Sequence, residues 1–419
     1  MSQPTRLLLS LVAGLLGGVL LARASITAAD WGVAIAQPVG TAWLNGLQMT
    51  VIPLVLSLLV TGVASTAEAA SAGRLAVRTI GASLVFLTVA AIAAAVATLL
   101  LLDLFPIPVE AAAQLRAAIA GGTPVPTPPP LAELIAAIVP NNVVGAAASG
   151  ALLSLIVFTL IFAFALTRID APARDLLVRF FAAIRDAMLV VVGWVLWLAP
   201  LGVFALAFAV GARAGTAAFG ALLHYIAIVS AIGLVVVAIA YLIAWTLGRV
   251  PIARFARTLL PAQAFAVSTA SSLATLPMML KAAGDMGISR PASGVVLPLA
   301  VAMFRATQPA MNVAIAIYIG QWFGVETPPA AIAAGIAVGV VTSLGSVSLP
   351  SQITFFASVA PIAGAMGVPL APLGLLLAVE TIPDIFRTLG NVTSDLALTT
   401  VVTRGEPIDE RVSAEQPRP

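Results

Sequence analysis

The stretch LLLAVETIPDIFRTLGNVTSDLALTTVV, residues 375–402, places ionisable side chains inside a segment that is otherwise long and apolar enough to cross a membrane. Five polar positions recur at spacings of 4, 3, 4 and 4: Glu380, Asp384, Arg387, Asn391 and Asp395. A helix puts residues at these spacings on one stripe. Several ionisable groups in one membrane helix mark the path of a solute or an ion. The alternative is a structural cluster whose charges neutralise one another between helices.

The composition of the whole chain agrees with a membrane location. Of its 419 residues, 61% are hydrophobic and only 9% are charged, and the mean hydropathy is +1.11; soluble domains carry about 25% charged residues. Cysteine is absent and His224 is the only histidine, which argues against thiolate chemistry and against a histidine-based metal site. The arginines are scattered between apolar segments, so nucleic-acid binding is a poor interpretation of the basic charge. An all-α integral membrane protein is therefore expected.

Apolar periodicity predicts eight membrane spans, at about residues 7–23, 32–64, 78–102, 143–167, 187–212, 217–246, 292–324 and 371–401. Two further apolar segments, about 251–289 and 327–362, are interrupted. Most arginines fall on one side of the predicted membrane, which the positive-inside rule makes cytoplasmic, with both termini inside. This topology requires each interrupted segment to enter and leave the membrane from one face. Both segments are therefore predicted to be re-entrant hairpins.

The two interrupted segments resemble each other. Their centres read STASSLATLP (Ser268–Pro277) and TSLGSVSLPS (Thr342–Ser351); each is rich in small hydroxyl residues, contains a proline and precedes a span with ionisable residues. Matching interrupted segments indicate an inverted repeat, in which half-helix ends and unwound backbone hold substrate and ions near the membrane midplane. The alternative is a pair of ordinary kinked helices that pack through small residues.

Four stretches carry a resemblance to a known family. DIFRTLGNVTSD (Asp384–Asp395) closely resembles the last-helix motif of the dicarboxylate/amino acid:cation symporters, the glutamate transporter homologues. MTVIPLVLSLLVTGVAS (Met49–Ser65) is similar to the second span of that family, LAPLGVFAL (Leu198–Leu206) to its fifth, and SSLATLP (Ser271–Pro277) to the tip of its first hairpin. The resemblance covers nearly the whole chain.

The resemblance implies eight transmembrane helices plus two re-entrant helical hairpins with inverted repeats, in a homotrimer whose transport domains move like elevators against a fixed scaffold. The domains implied for this chain run in the following order: scaffold helices 1 and 2 (1–77), transport-domain helix 3 (78–102), an extracellular Pro-rich loop (103–142), scaffold helices 4 and 5 (143–216), transport-domain helix 6 (217–250), hairpin 1 (251–291), helix 7 (292–326), hairpin 2 (327–370), helix 8 (371–403) and a cytoplasmic tail (404–419).

The resemblance also implies a set of substrate-binding positions: Ser271, Ser272, Gln308, Ser348, Asp384, Arg387, Thr388 and Asn391. In the family, the residue matching Arg387 pairs with the substrate's side-chain carboxylate, for which a planar guanidinium suits the geometry. The residue matching Asp384 takes the α-ammonium, and the hairpin serine at Ser272, with neighbouring amides, holds the α-carboxylate. Gln308 and Ser348 depart from the usual threonine and glycine. Because the chain keeps both Asp384 and Arg387, glutamate or aspartate is the expected substrate.

The seventh span departs further from the family pattern. Where the family has Asn-Met-Asp-Gly-Thr, this chain has Phe304-Arg305-Ala306-Thr307-Gln308. The family's Asn and Asp side chains help to build a sodium site, and Phe304 and Ala306 supply no side-chain oxygen for a hard cation. Burying Arg305 unpaired in hydrocarbon would cost between about 3 and about 15 kcal/mol.

We therefore expect Arg305 to act as a tethered cation that pairs with Asp395, which matches a sodium-ligating carboxylate of the family. Two alternatives are that Arg305 reaches to the cytoplasmic interface, or that it binds a substrate carboxylate. The expected ion-coupling residues are Arg305, Asn391, Asp395, Ser343, Leu344 and Ser346. Backbone carbonyls around Ser343, Leu344 and Ser346 could form a residual sodium site.

The sequence thus predicts a secondary transporter of acidic amino acids in the cytoplasmic (inner) membrane, not an enzyme, with altered or lost sodium coupling. Its expected partners are a small acidic substrate, the lipid bilayer and two further copies of the chain. No cofactor is expected beyond Na⁺ or H⁺ as the coupling ion. One rival function is a proton-coupled or exchange-type C4-dicarboxylate transporter. A rival of another class is a substrate-gated anion channel or a transport-inactive sensor.

Overall fold

The computed structural model describes residues 3–71, 73–108, 112–113, 116–117, 139–344 and 351–404. These residues form sixteen main α-helices and no strand, which confirms the all-α prediction. The helices run in chain order as follows: α1 Gln3–Ala24, α2 Ile26–Ser71, α3 Arg74–Leu104, α4 Val143–Ala148, α5 Leu152–Leu166, α6 Ala171–Trp197, α7 Ala199–Ala214, α8 Ala217–Thr246, α9 Ile252–Thr269, α10 Ser272–Asp285, α11 Arg290–Met303, α12 Thr307–Phe323, α13 Pro329–Leu344, α14 Ser351–Ala365, α15 Leu373–Val379 and α16 Thr381–Val402.

Five stretches of helix are long and apolar enough to cross a membrane: Thr5–Ala24, Ile26–Ala70, Arg74–Leu104, Ala218–Thr246 and Arg290–Phe323. The pair α6 and α7, bent by 56°, would make a sixth. The described part of the chain is therefore that of a multi-pass membrane protein. The layout of eight spans plus two hairpins stays a prediction. The Pro-rich stretch 121–130, the centre of the second interrupted segment (345–350) and the tail from residue 405 lie outside the described residues.

The helices pack in two groups. In the first group α1 lies along α7, and α2 packs against α5, α6 and α7. In the second group α12 and α16 are buried along most of their lengths, and the helices packed around them are α3, α8, α9, α10, α11, α13 and α14. The groups meet where α2 contacts α13 and α14. The buried polar stripe of α16 therefore lies inside the second group.

Glycines bring some of these helices close together. A Cβ at Gly18 of α1 would overlap the backbone oxygen of Phe208 in α7, and a Cβ at Gly14 would lie 2.5 Å from the oxygen of Phe204. Gly14 and Gly18 are four residues apart, so both face α7, in the small-residue spacing typical of tightly packed membrane helices. The first group is thus held together by backbone-to-backbone packing.

The first interrupted segment is a pair of packed helices, α9 and α10. The chain turns between them at Ala270, whose φ of 48° is left-handed. Ser271 then adopts an extended conformation and its Oγ accepts a hydrogen bond of 3.2 Å from the N–H of Ala274. A serine cap of this kind begins a helix, so α10 starts within the serine-rich stretch.

The seventh and eighth predicted spans are both broken. Residues 304–306 separate α11 from α12, with Phe304 extended (φ −108°, ψ 98°). Glu380 separates α15 from α16. Breaks at these points leave backbone groups and half-helix ends inside the second helix group, next to the polar stripe.

Candidate functional site

The candidate site lies where α10, α11 and α12 all pack against α16. The helix start at Ser271 and the unwound residues 304–306 belong to these neighbours of α16. Helix N-termini carry unsatisfied N–H groups and partial positive charge, which favour anions. The arrangement therefore combines two anion-favouring helix starts with the ionisable side chains of α16.

Arg387 is the most heavily bonded side chain of the site. Its Nη2 lies 2.7 Å from Glu380 Oε1, and its Nη1 donates to Asn312 Oδ1 at 3.1 Å. The second Glu380 oxygen, Oε2, accepts a hydrogen bond of 3.2 Å from the Tyr225 hydroxyl. Glu380 is fully buried and Arg387 is 8% exposed. Glu380, Asn312 and Tyr225 therefore fix the position of the guanidinium.

The inner edge of Arg387 faces Asp384. Asp384 Oδ1 lies 4.0 Å from Arg387 Nε, and Nε itself is buried without a hydrogen-bond partner among the described residues. Thr388 is buried beside Arg387 on the same helix. A carboxylate and a guanidinium with an unused N–H stand side by side, so this edge can bind a ligand that carries both charges.

Asn391 bonds to the start of α12. Its Oδ1 accepts hydrogen bonds from the Thr307 N–H at 3.0 Å and from the Thr307 hydroxyl at 2.8 Å. The Thr307 hydroxyl also lies 3.1 Å from the backbone oxygen of Arg387. A Cβ at Gly390 would overlap the Thr307 methyl group, so α12 approaches α16 closely here. Asn391 thus connects the broken seventh span to the polar stripe.

Asp395 and Arg305 are both buried charges, and they are not in contact. Among the described residues, both Asp395 oxygens and Arg305 Nε lack a hydrogen-bond partner, and no ion pair joins the two side chains. The expected Arg305–Asp395 pair is therefore absent as a direct contact. Arg305 is nevertheless the charged group whose field acts on Asp395, and it also faces Arg387 and Asp384. Because an unpaired buried carboxylate is costly, Asp395 is suited to bind a cation or a proton.

Residues 304 and 306 form an apolar wall. Phe304 is 1% exposed and packs edge-on against Phe86 of α3, with ring centroids 5.0 Å apart. Ala306 is fully buried. The space beside α3 is therefore filled with carbon, and neither side chain offers an oxygen to a cation.

The remaining predicted site residues are spread around the stripe. Ser271 caps α10 through its side chain, and Ser272 is the first residue of that helix. Gln308 lines a small, mostly apolar cavity of about 30 Å³ between α2 and α14. The Ser343 hydroxyl donates to Gly339 O at 2.7 Å within α13, where Leu344 is the last residue. Ser346 and Ser348 lie outside the described residues.

The sequence interpretation left four of the contacting residues out of the site: Glu380, Asn312, Tyr225 and Thr307. Glu380 was visible as part of the stripe in α16, one turn before Asp384. Asn312 lies one turn after Gln308 in a buried helix. Because buried polar side chains are hydrogen-bonded, an isolated amide in such a helix indicates a polar partner nearby. Tyr225 had no sequence signal, because a tyrosine in an apolar helix resembles any other packing residue.

The chain resembles known transporters along nearly its whole length. The model of the Sodium:dicarboxylate symporter family matches residues 4–404. The "Proton/sodium-glutamate symport protein" of Bacillus subtilis (strain 168) is 27% identical over 390 residues, which cover 90% of this chain and 88% of that protein. The "Proton/glutamate-aspartate symporter" of Escherichia coli (strain K12) is 26% identical, with 90% and 87% covered. The "C4-dicarboxylate transport protein" of Laribacter hongkongensis (strain HLHK9) is 25% identical, with 90% and 85% covered.

Proposed function

The chain belongs to the sodium:dicarboxylate symporter family, whose members are transporters and not enzymes, and on that premise we propose that it carries glutamate or aspartate across the cytoplasmic membrane. Transport would proceed by alternating access. The second helix group, with α16 at its centre, would be the moving part, and the first group would be the fixed scaffold of a homotrimer. Both termini would lie in the cytoplasm, as the arginine distribution favours.

The observation that supports this substrate class is the side-by-side placement of Asp384 and Arg387 in a buried site. The Arg387 guanidinium would receive the side-chain carboxylate of the substrate, and Asp384 its ammonium. Thr388 and Asn391 would add hydrogen bonds. Ser271, Ser272, Gln308 and Ser348 would close the site from the hairpins and from α12.

We further propose that ion coupling is altered or lost in this chain. The side chains of Phe304 and Ala306 fill the space beside α3 and offer no oxygen ligand to a cation there. Arg305 would supply a permanent positive charge that acts on Asp395 through its field, without contact. A sodium site formed by carbonyls at Ser343, Leu344 and Ser346 would be the remaining place for a coupling ion, and Asn391 and Asp395 would be further ion-coupling residues.

The test is uptake of radiolabelled L-aspartate into proteoliposomes, with and without a sodium gradient. We expect wild-type uptake to be insensitive to sodium, and the Arg305→Met variant to become dependent on it, because Asp395 then lacks its tethered counter-charge. Arg290→Met is the matched control, since Arg290 is an exposed arginine at the start of α11. Sodium-dependent uptake by the wild type would exclude the tethered-charge role.

A C4-dicarboxylate is the second candidate substrate. It is favoured by the Arg305 guanidinium, whose Nε has no hydrogen-bond partner among the described residues and whose charge acts on the same site as Arg387. This guanidinium could offset the charge of a substrate without an ammonium group. Succinate and aspartate should be compared as competitors in the same assay. Displacement by succinate alone would favour this candidate. Ionic current far in excess of substrate flux would favour a gated anion channel.

A further inference from the structure

His224 joins the ends of three helices at one end of the second helix group. Its Nε2 lies 2.9 Å from the backbone oxygen of Phe105, which ends α3. Its Nδ1 lies 3.1 Å from the hydroxyl of Tyr318 in α12. The Tyr318 hydroxyl in turn donates to the backbone oxygen of Ala221, one turn before His224 in α8, at 3.1 Å. The imidazole ring therefore bridges α3, α8 and α12.

The positions of the hydrogens decide which form of the ring fits this geometry. A backbone oxygen only accepts, so Nε2 must carry a proton. If the single Tyr318 hydroxyl proton is donated to Ala221 O, the Tyr318 oxygen can only accept from Nδ1. Both ring nitrogens must then carry protons for all three contacts to be hydrogen bonds. With a neutral ring, Tyr318 must turn its proton to Nδ1 and give up the contact with Ala221.

We propose that His224 is a proton-binding site, and that its imidazolium form clamps the ends of α3, α8 and α12 together. Histidine is the side chain that ordinarily changes charge between pH 5 and 8. Arg74 and Arg78 put the start of α3 on the predicted cytoplasmic side, so the end of α3 at Phe105 lies on the predicted outer side. The proton concentration of the external medium therefore controls the clamp.

The clamp is connected to the substrate site by packing. The Tyr318 ring contacts the Tyr225 ring edge-on, with centroids 5.4 Å apart. Tyr225 donates to Glu380, and Glu380 holds Arg387. A change in the Tyr318 hydroxyl is thus transmitted to the guanidinium through two side chains. This link to the substrate site rests on the proposed function, since it assumes that Arg387 binds substrate. Proton binding by His224 does not depend on that function.

The elements that pack near the ring carry other charged and titratable groups. The polar contacts of the ring among the described residues are Phe105 and Tyr318. Charged or titratable side chains on the neighbouring elements are as follows: Asp103 in α3, Arg116 against Trp322 O, Arg213 in α7, Tyr225 in α8, Glu326 after α12 and Glu380 before α16.

Proton binding can be tested without transport, because the chain has a single histidine. Protein purified through a tag without histidine, labelled with ¹⁵N-histidine and placed in nanodiscs, should give one imidazole spin system. We expect both nitrogens to be protonated at acidic pH and the ring to lose a proton as the pH rises to 8. Tyr318→Phe removes the acceptor at Nδ1, so its titration midpoint should move to lower pH. A ring that stays neutral down to pH 5, or an unchanged midpoint in Tyr318→Phe, would overturn the proposal.

The link to the substrate site is tested by the KM for aspartate at external pH values from 5.5 to 8, with the internal pH held constant. Loss of about one hydrogen bond in the clamp predicts a KM about threefold higher at pH 8 than at pH 5.5. His224→Gln, which cannot become charged, should give a KM that does not change with pH. A wild-type KM that is flat while the ring titrates would refute the link. Absence of any aspartate or succinate uptake would instead refute the proposed function, and the NMR titration would still decide the proton site.

Discussion

Arg387 is the side chain on which the proposed recognition of substrate depends. Its two outer nitrogens are held by Glu380 and Asn312, so its orientation is set before a ligand arrives. Such preorganisation lowers the entropy cost of binding. A flexible ammonium could not be held in this way, because it lacks the planar fork that allows one side to be anchored while another faces the ligand.

We expect Arg387→Lys to raise the KM for aspartate at least about tenfold, because charge-assisted hydrogen bonds to the anchored guanidinium are lost. The measurement is initial uptake into proteoliposomes over a range of aspartate concentrations. Arg185→Lys is the matched control, since Arg185 pairs with Asp186 at the surface, 2.8 Å away. A KM for Arg387→Lys within twofold of wild type would mean that Arg387 does not contact the substrate.

Arg305 shows how one buried charge can act on a site through its field. Three buried carboxylates, Glu380, Asp384 and Asp395, face two guanidinium groups. Glu380 is neutralised by contact, whereas Asp395 is influenced by Arg305 only through space. The sodium test of Arg305→Met described above measures whether that field replaces an ion.

Among the helices, the pair α1 and α7 depends most clearly on close approach. Gly14 and Gly18 on α1 and Gly211 on α7 each face the backbone of the partner helix. In a membrane, helices associate through packing and not through exclusion of water from apolar surface. A side chain at these positions would push the two backbones apart and weaken the packing of the first helix group.

Gly18→Ala should therefore lower the midpoint of thermal unfolding by a few degrees, since overpacking costs about 1–3 kcal/mol. Gly17→Ala is the matched control, because its Cβ would meet the Phe208 ring at an ordinary 3.7 Å. Both variants gain the helix propensity of alanine, so the difference between them isolates the clash. The measurement is tryptophan fluorescence during heating in lipid-supplemented detergent. Equal midpoints would show that α1 and α7 can move apart freely.

The broken helices explain how polar backbone is tolerated inside an apolar protein. The unwound residues 304–306 are covered by other helices, and non-helical backbone at membrane depth is accepted only where protein or a water-filled cavity surrounds it. Asn391 satisfies the Thr307 N–H directly. The break in the seventh span is therefore supported by a side chain from the eighth.

At the scale of the whole chain, the proposed alternating access requires that the two helix groups move past each other. Leu54 on α2 and Ala357 on α14 line the same space between the groups, and the chain has no native cysteine. The double variant Leu54→Cys/Ala357→Cys, bridged by a short thiol-reactive linker, should lose transport almost completely. Transport should return when a cleavable linker is reduced.

The single-cysteine variants treated with the same linker are the controls for that experiment. They should keep most of their uptake, because modification of one thiol does not tie the groups together. Full transport by a protein shown by gel shift to be bridged would contradict movement between these two helix groups.

Membrane location, helical class and family all follow from local features of the sequence. Low charge, apolar segments of spanning length and the motif Asp384–Asp395 require no knowledge of distant contacts, because lipid forces the backbone of each spanning segment to satisfy its own hydrogen bonds. The polar stripe of α16 was equally predictable, since helical periodicity alone places its residues on one face.

The partners of that stripe depended on contacts between segments far apart in the chain. Tyr225 meets Glu380 across 155 residues, and Thr307 meets Asn391 across 84; periodicity within one helix carries no information about either pair. For the same reason the sequence could not decide whether Arg305 and Asp395 touch, because opposite charges on two helices indicate attraction but not distance. Among the described residues no direct contact joins them. Arg305 lies in the break between Met303 and Thr307. Its distance from Asp395 is set by how α11 and α12 pack against α16, and only the tertiary structure determines that packing.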